Sequence, residues 1–183
     1  IGLFYEGREG KPYSWTFNND MNGDGVAGND LLYVPKGVGS GEVLFKLPGA
    51  SNTVANSGAA AETKFWSIVE TSQALRKAKG GVVERNSEFS RFTNSFDLRF
   101  SQEVPGFFSG HKGVIALDLL NFGNLINRRW GRVEEIGFGT GGNVRRFVNY
   151  AGIQDGKMVY TVNDPTDYAV RQVRGESQWA AQV

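Results

Sequence analysis

The sequence predicts an all-β chain, and three observations carry that expectation. Aromatic residues make up 13% of the 183 positions, with 13 Phe, 6 Tyr and 4 Trp, and such side chains suit the pleated surface of a sheet. The chain also holds 25 Gly, a density that goes with turns and long connections. The third observation is alternation: several runs set apolar and polar residues on opposite faces at a period of two.

Residues 1–17 carry β-forming side chains at alternating positions, first Leu3 and Tyr5, then Tyr13, Trp15 and Phe17. A bulge or bend is expected at residues 10–12, where Gly and Pro interrupt the run. Residues 18–91 are rich in Gly, Asn, Asp and Ser and read as a long connection. It holds one short helix near 61–78, where Phe65, Ile68, Val69 and Leu75 fall near helical spacing and Gly80 with Gly81 supplies the stop. Residues 92–104 alternate cleanly, with Phe96, Leu98 and Phe100 on one face and Asp97, Arg99, Ser101 and Glu103 on the other. Residues 105–110, PGFFSG, form a short turn. The next strand, 111–122, sets Ile115, Leu117 and Leu119 opposite Ala116 and Asp118. A second long connection, 123–175, contains a hairpin of 144–153 against 158–162 around Gln154-Asp155-Gly156-Lys157. The last strand, 176–183, puts Trp179, Ala181 and Val183 opposite Gln178 and Gln182.

About four long antiparallel strands are thus joined by long, short and long connections. Outer-membrane barrels combine short periplasmic turns with long extracellular loops, and their strands alternate apolar outward and polar inward. With the last strand running inward, 18–91 and 123–175 are extracellular and 105–110 is periplasmic. The fold class expected for 1–183 is therefore all-β, the C-terminal part of a membrane β-barrel. A soluble sandwich, or a sheet with one wet face, gives the same alternation. It accommodates these connections poorly, because loops beyond about 15 residues are uncommon in compact domains. No stretch reaches the roughly 20 apolar residues of a transmembrane helix, so contact with a membrane must be made by strands. Ile1 already lies inside an alternating segment, and the final strand runs to Val183 with no stop signal. Both ends are expected to be internal to a longer chain.

Composition removes several chemistries. With no Cys there are no disulfides, thiolate-bound zinc or thiol nucleophiles. The single His111 rules out a multi-His metal site within these residues. A net charge of +1, with Lys and Arg scattered, argues for no nucleic-acid partner.

One constellation carries metal chemistry. Asp20-Met21-Asn22-Gly23-Asp24-Gly25 reads D-x-N-x-D-G, the opening half of an EF-hand-type calcium loop, in which the Gly permits the sharp turn that aims successive oxygens at one ion. Asp20, Asn22, Asp24 and Asp30, with the Val26 carbonyl, are the candidate Ca²⁺ ligands. The ion would have a structural role. The usual closing acid at position 12 is displaced, since Leu31 stands there and Asp30 precedes it. The competing reading is an Asx-rich turn that satisfies its own backbone.

Other motifs are weaker. The glycine-rich run at 137–142 resembles a phosphate loop but lacks the following Lys-Ser/Thr. Glu84, Glu88, Glu134 and Glu135 could offer a carboxylate pair, and they read better as solvated charges. Asp97, Arg99 and Asp118 suit a charge network on the polar face of barrel strands. Trp15, Trp130 and Trp179, with Phe107 and Phe108, suit interfacial aromatic belts.

Four stretches, in order, resemble the C-terminal part of TonB-dependent outer-membrane receptors, in particular the Oar-like group with a carboxypeptidase-regulatory-like plug extension. They are FYEGREGKPYSWTFNNDMNGDGVAGNDLLYVP from Phe4, ERNSEFSRFTNSFDLRFSQEVP from Glu84, LDLLNFGNLINRRWGRVEE from Leu117, and the closing ESQWAAQV. The resemblance implies a non-enzymatic transport receptor in the outer membrane of a Gram-negative cell, partnered by lipid, by its own plug and remaining barrel strands, by the TonB complex through an N-terminal part, and by an unidentified transported ligand. Capture would fall to the outer connections. The alternative is a soluble, calcium-stabilised extracellular β-rich binding or adhesion module. A β-rich hydrolase using loop carboxylates is a third reading.

Overall fold

The computed structural model describes residues 1–108, 110–136, 143–170 and 175–183. In chain order its elements are β1 (Gly2–Arg8), β2 (Pro12–Phe17), β3 (Tyr33–Val34), β4 (Val43–Lys46), α1 (Val54–Thr71), α2 (Gln73–Lys77), β5 (Gly81–Val82), β6 (Glu88–Phe89), β7 (Thr93–Pro105), β8 (Lys112–Leu120), α3 (Phe122–Ile126), β9 (Glu134–Glu135), β10 (Val144–Gln154), β11 (Lys157–Val162), β12 (Ala169–Val170) and β13 (Ala180–Gln182). The described residues are mostly β, at 42% strand and 16% helix, as the composition predicts. It divides into two units: Ile1–Gly10 with Ser90–Glu135 and Tyr168–Val183, and Lys11–Phe89 with Ile136–Asp167.

The first unit is built on an antiparallel sheet in the order β1-β7-β8-β13. The alternation along 92–104 and 111–122 becomes the β7–β8 hairpin, in register from Leu98 opposite Leu119 to Pro105 opposite Lys112. Its turn is closed by the Gly106 N–H donating to the His111 carbonyl and the His111 N–H donating to the Phe108 carbonyl. At the far end of the sheet Arg8 lies opposite Thr93, and Leu120 opposite Ala180. Both long connections therefore leave one end of the sheet, and the short turn lies at the other. β9 and β12 form a separate antiparallel pair.

The second unit has its own sheet, in the order β4-β11-β10-β2-β6. Two of its pairings, β10 with β2 and β11 with β4, are parallel. Helix α1 packs across β4 and β11. Thr53 starts that helix with a capping box: its side chain accepts from the Asn56 N–H while the Asn56 side chain accepts from the Thr53 N–H. Ser72, in extended conformation, ends the helix and caps α2 through the Leu75 N–H. The buried face of α1, with Ala61, Phe65 and Val69, spaces its residues four apart. Phe65 stacks at 5.1 Å from Phe45 and 5.5 Å from Phe147. Trp15 meets Phe147 edge-on at 5.5 Å, and Phe17 meets Tyr160 at 5.3 Å. Tyr160 is buried, which pushes its phenol pKa up, and its hydroxyl donates to the Tyr33 carbonyl.

Several expectations are corrected. The single strand at 1–17 is two strands in two different sheets, because the break at residues 9–11 is a change of sheet rather than a bulge. The helix begins earlier than 61 and is interrupted at Ser72, since the Thr53 capping box fixes its start where the segment up to Ala61 has no apolar period. Helix α1 spans 18 residues and is not short. The described residues of 18–91 and 123–175 are not simply irregular connections: they supply β3, β4, β10, β11 and the helices α1 and α2 of a packed core. Helix α3 follows β8 directly, and the last strand is confined to Ala180–Gln182. Trp15 is fully buried in the second unit's core and takes no part in an exposed belt. The run at 137–142 lies outside the described residues.

Phe65 touches more of this aromatic core than any residue of α2 does, and it is fully buried. Phe65→Ala should cost about 3–5 kcal/mol, read as a lowered urea midpoint in far-ultraviolet circular dichroism of the whole protein.

Candidate membrane interface

Residues opposed in register project from the same face of a sheet, so the pairings of the first unit sort its side chains into two sets. Leu3 pairs with Leu98 and Tyr5 with Phe96. Leu98 pairs with Leu119, Phe100 with Leu117, and Gln102 with Ile115; Leu119 pairs with Ala181. One face is thus largely apolar across all four strands, interrupted by Gln102 and by Asn94, which accepts from the Tyr5 hydroxyl. The Tyr5 and Phe96 rings stack at 4.9 Å. This face is open: Leu3 is 65% exposed, Tyr5 52%, Phe100 40% and Ile115 58%.

The other face carries the charges. Arg99 lies opposite Asp118, and the two form an ion pair at 3.5 Å. Lys112 and Glu103 pair at 2.9 Å near the turn. Glu6, Ser95 and Gln182 fall on this face by the same register. Of the three residues expected to form one charge network, Arg99 and Asp118 come together, while Asp97 accepts from the Asn121 N–H at 2.7 Å.

Beyond β8 the chain is shaped by two buried asparagines that sequence reasoning did not single out. Asn121 adopts a left-handed conformation (φ 50), and its side-chain amide donates to the Gly131 and Glu176 carbonyls at 3.0 and 3.1 Å. Asn124 donates to the Arg128 and Trp130 carbonyls at 3.1 and 2.9 Å. Gly131 is required at φ 62, since a Cβ there would meet Asn121 Oδ1 at 1.8 Å. Residues 127–132 are thereby pinned. They border a pocket of about 710 Å³ at the connection-bearing end of the sheet, walled by Tyr5, Phe92, Phe96 and Trp130 with Arg129 and Arg132. A second recess, about 840 Å³, is lined by Arg128, Arg132 and Trp179 among others. Trp130, Trp179, Phe107 and Phe108 are all exposed.

The candidate calcium residues meet in one loop of the second unit, and there they bind backbone amides. Asp20 accepts from the N–H groups of Gly23, Asp24 and Gly25. Asp30, which is buried, accepts from Met21 and Asn22. Asp24 accepts from the Val26 N–H and from the side-chain amides of Asn22 and Asn29. The Asn29 bond, then the Val26 amide and Asn22, hold the Asp24 carboxyl below the usual carboxylate range. Ion entry would require Asn22 to turn its amide oxygen inward and Asp24 to release Asn29. Among the described residues no group of three or more His, Cys, Asp or Glu is gathered to hold a metal.

The candidate carboxylates are each engaged. Glu88 accepts from the Ser72 hydroxyl and the Ala74 N–H, Glu84 pairs with Lys77 at 3.9 Å, and Glu134 with Arg91 at 2.7 Å. Adjacent in β9, Glu134 and Glu135 project to opposite sides.

Two predictions follow from the acidic loop. Asp30→Ala strands two partly buried amides and should cost about 1–3 kcal/mol, seen as a lower melting temperature at neutral pH. The lowered carboxyls also set an acid limit. Asp24 is held down chiefly by Asn29, Glu42 by the Lys36 amide, and Glu70 by Lys79. Each adds stability that is complete above the unfolded carboxylate pKa of about 4 and lost as pH falls through the lower folded value. The melting temperature should hold between about pH 7 and 5 and fall below about 4.

Compared with models of protein families, with curated proteins and with solved structures, the chain matches none.

Proposed function

We propose that this chain forms part of the wall of an outer-membrane β-barrel of the TonB-dependent receptor type, acting in substrate uptake. The observation that carries the reading is the open apolar face of the β1-β7-β8-β13 sheet, backed by a face holding the Arg99–Asp118 pair. A water-soluble sheet with one wet face turns its charges to solvent and its apolar side chains to a core. Here the apolar side chains lack a core, and lipid is the solvent that suits them.

Strand length and connectivity fit the same setting. The nine residues of β8 span about 30 Å at roughly 3.3 Å each, which a tilt near 40° reduces to about 23 Å, close to an apolar band about 25 Å tall, and the 13 residues of β7 exceed that band at about 33 Å on the same tilt. Sequential antiparallel neighbours joined by a short turn at one end and long excursions at the other are the wiring of such barrels. Among the described residues no helix is long and apolar enough to cross a membrane, which says nothing of crossing by strands. Four strands do not close a barrel, so the reading requires further strands, and the plug and TonB contact come with it from the resemblance alone.

In this reading the 105–110 turn is periplasmic and the long excursions are extracellular, where the folded second unit would take part in capturing substrate. Arg99, Asp118 and Glu6 would face the lumen. The soluble calcium-stabilised module is disfavoured by the same open face. The chain's lack of Cys makes a clean test. Leu117→Cys and Ile115→Cys, on the apolar face, and Ser101→Cys and Ala116→Cys, on the other, are each labelled with a fluorophore in the full-length protein in outer-membrane vesicles. Quencher-bearing lipids should dim the first pair and spare the second. Equal quenching of both pairs, or the reverse order, would refute the barrel reading.

A further inference from the structure

The pocket beside Trp130 lies on the apolar face of the sheet and also carries cationic side chains, a combination that a plain lipid-facing wall does not need. Tyr5, Phe92 and Phe96 continue the apolar face into it, and Arg129 and Arg132 join them in its lining. Among the described residues no ion pair of either arginine side chain is found, and the nearby Glu134 is engaged by Arg91. The segment bearing them is fixed in advance by Asn121 and Asn124, so little ordering is left for a ligand to impose.

We propose that this pocket is a binding site for a phosphorylated membrane lipid, with the phosphate on Arg129 and Arg132 and the start of the acyl chain along Phe96, Tyr5 and Trp130. Charge complementarity selects an anion, because guanidinium groups match phosphate oxygens in paired hydrogen bonds. The apolar wall selects an amphiphile over a free anion. A Trp beside arginines at the end of an apolar band is also the arrangement suited to the headgroup level of a bilayer. Arg128 and Trp179 border the neighbouring recess and extend the same basic and aromatic rim. The proposal rests on the apolar face being lipid-facing, and it places the site at the end from which the long connections leave.

The test uses the full-length protein in a nonionic detergent, with dihexanoyl phosphatidic acid as probe and calorimetry as readout. Phosphatidic acid should bind, and dihexanoylglycerol, which lacks the phosphate, should bind about tenfold more weakly or less. Inorganic phosphate at equal concentration should not compete. The pair Arg129→Gln and Arg132→Gln should lower affinity at least about tenfold, Arg129→Lys with Arg132→Lys should retain most of it, and Lys112→Gln at the opposite end should change nothing. Should the glutamine pair misfold, the lysine pair and Trp130→Ala carry the comparison, the latter expected to weaken binding. Unchanged affinity in a folded glutamine pair, or competition by inorganic phosphate as strong as by the lipid, would overturn the site. Intact lipid quenching at Leu117→Cys beside unaltered binding in the glutamine pair would fault the pocket alone. Loss of that quenching with binding intact would fault the membrane reading alone.

Discussion

A sheet whose two faces differ in chemistry has to meet two different surroundings, and the first unit depends on that constraint. Its register leaves no freedom: a slip of one residue between β7 and β8 would carry Leu117 and Leu119 to the side of Arg99 and place Asp118 among Phe96 and Phe100. The Arg99–Asp118 pair then forms as a consequence of register, and the bond from the Gly106 N–H to the His111 carbonyl closes the hairpin in it. Which end receives the long excursions follows as well, since the antiparallel order brings Arg8, Thr93, Leu120 and Ala180 to one edge of the sheet.

The strands of this sheet were legible because alternation is a local signal. Residues 92–104 and 111–122 announce their faces within a few positions, and the structure keeps both. The hairpin at 144–162 was legible for the same reason, with Asp155 and Gly156 both at positive φ in its turn. What stayed hidden was association between distant segments. β2 pairs with β10 across some 130 positions, and nothing local to Trp15 states whether it faces lipid or Phe147. Period two gives a face without naming its neighbour. Parallel pairing of β4 with β11 is equally silent, because those strands are buried among aromatic residues and show little alternation in polarity.

The same distinction separates the two candidate sites. The D-x-N-x-D-G spacing was plain in the sequence, yet spacing alone does not say whether carboxylates gather around an ion or around backbone amides. In the structure these carboxylates accept backbone amides, Asp20 alone receiving three N–H groups. The loop beyond β8 had the opposite fate. Asn121 and Asn124 look like ordinary turn residues in LDLLNFGNLINRRWGR, and their importance comes from the carbonyls they reach at Glu176, Gly131, Arg128 and Trp130. One of those carbonyls lies 55 residues away. The nearest sequence clue was Gly131, whose positive φ allows the close approach of Asn121.

The choice between water and lipid turns on which groups are left facing each. In water, Leu3, Phe100, Ile115 and Trp179, between 40% and 65% exposed, would each forgo roughly half of the 1.5–3 kcal/mol that full burial gives, a sum that approaches the lower end of an ordinary domain's stability. The half-exposed Arg99–Asp118 pair cannot offset that, since such pairs contribute about 0–1 kcal/mol. Placed in a bilayer, the same sheet reverses the balance: the apolar face is solvated by acyl chains, and the charged face needs a wet lumen on its other side. An open sheet has two unpaired edges, here β1 and β13, and in lipid every unpaired N–H and C=O on those edges is costly. The chemistry that favours lipid for the faces therefore also demands partners for the edges. One physical requirement thus joins the two-faced sheet to the expectation of further strands.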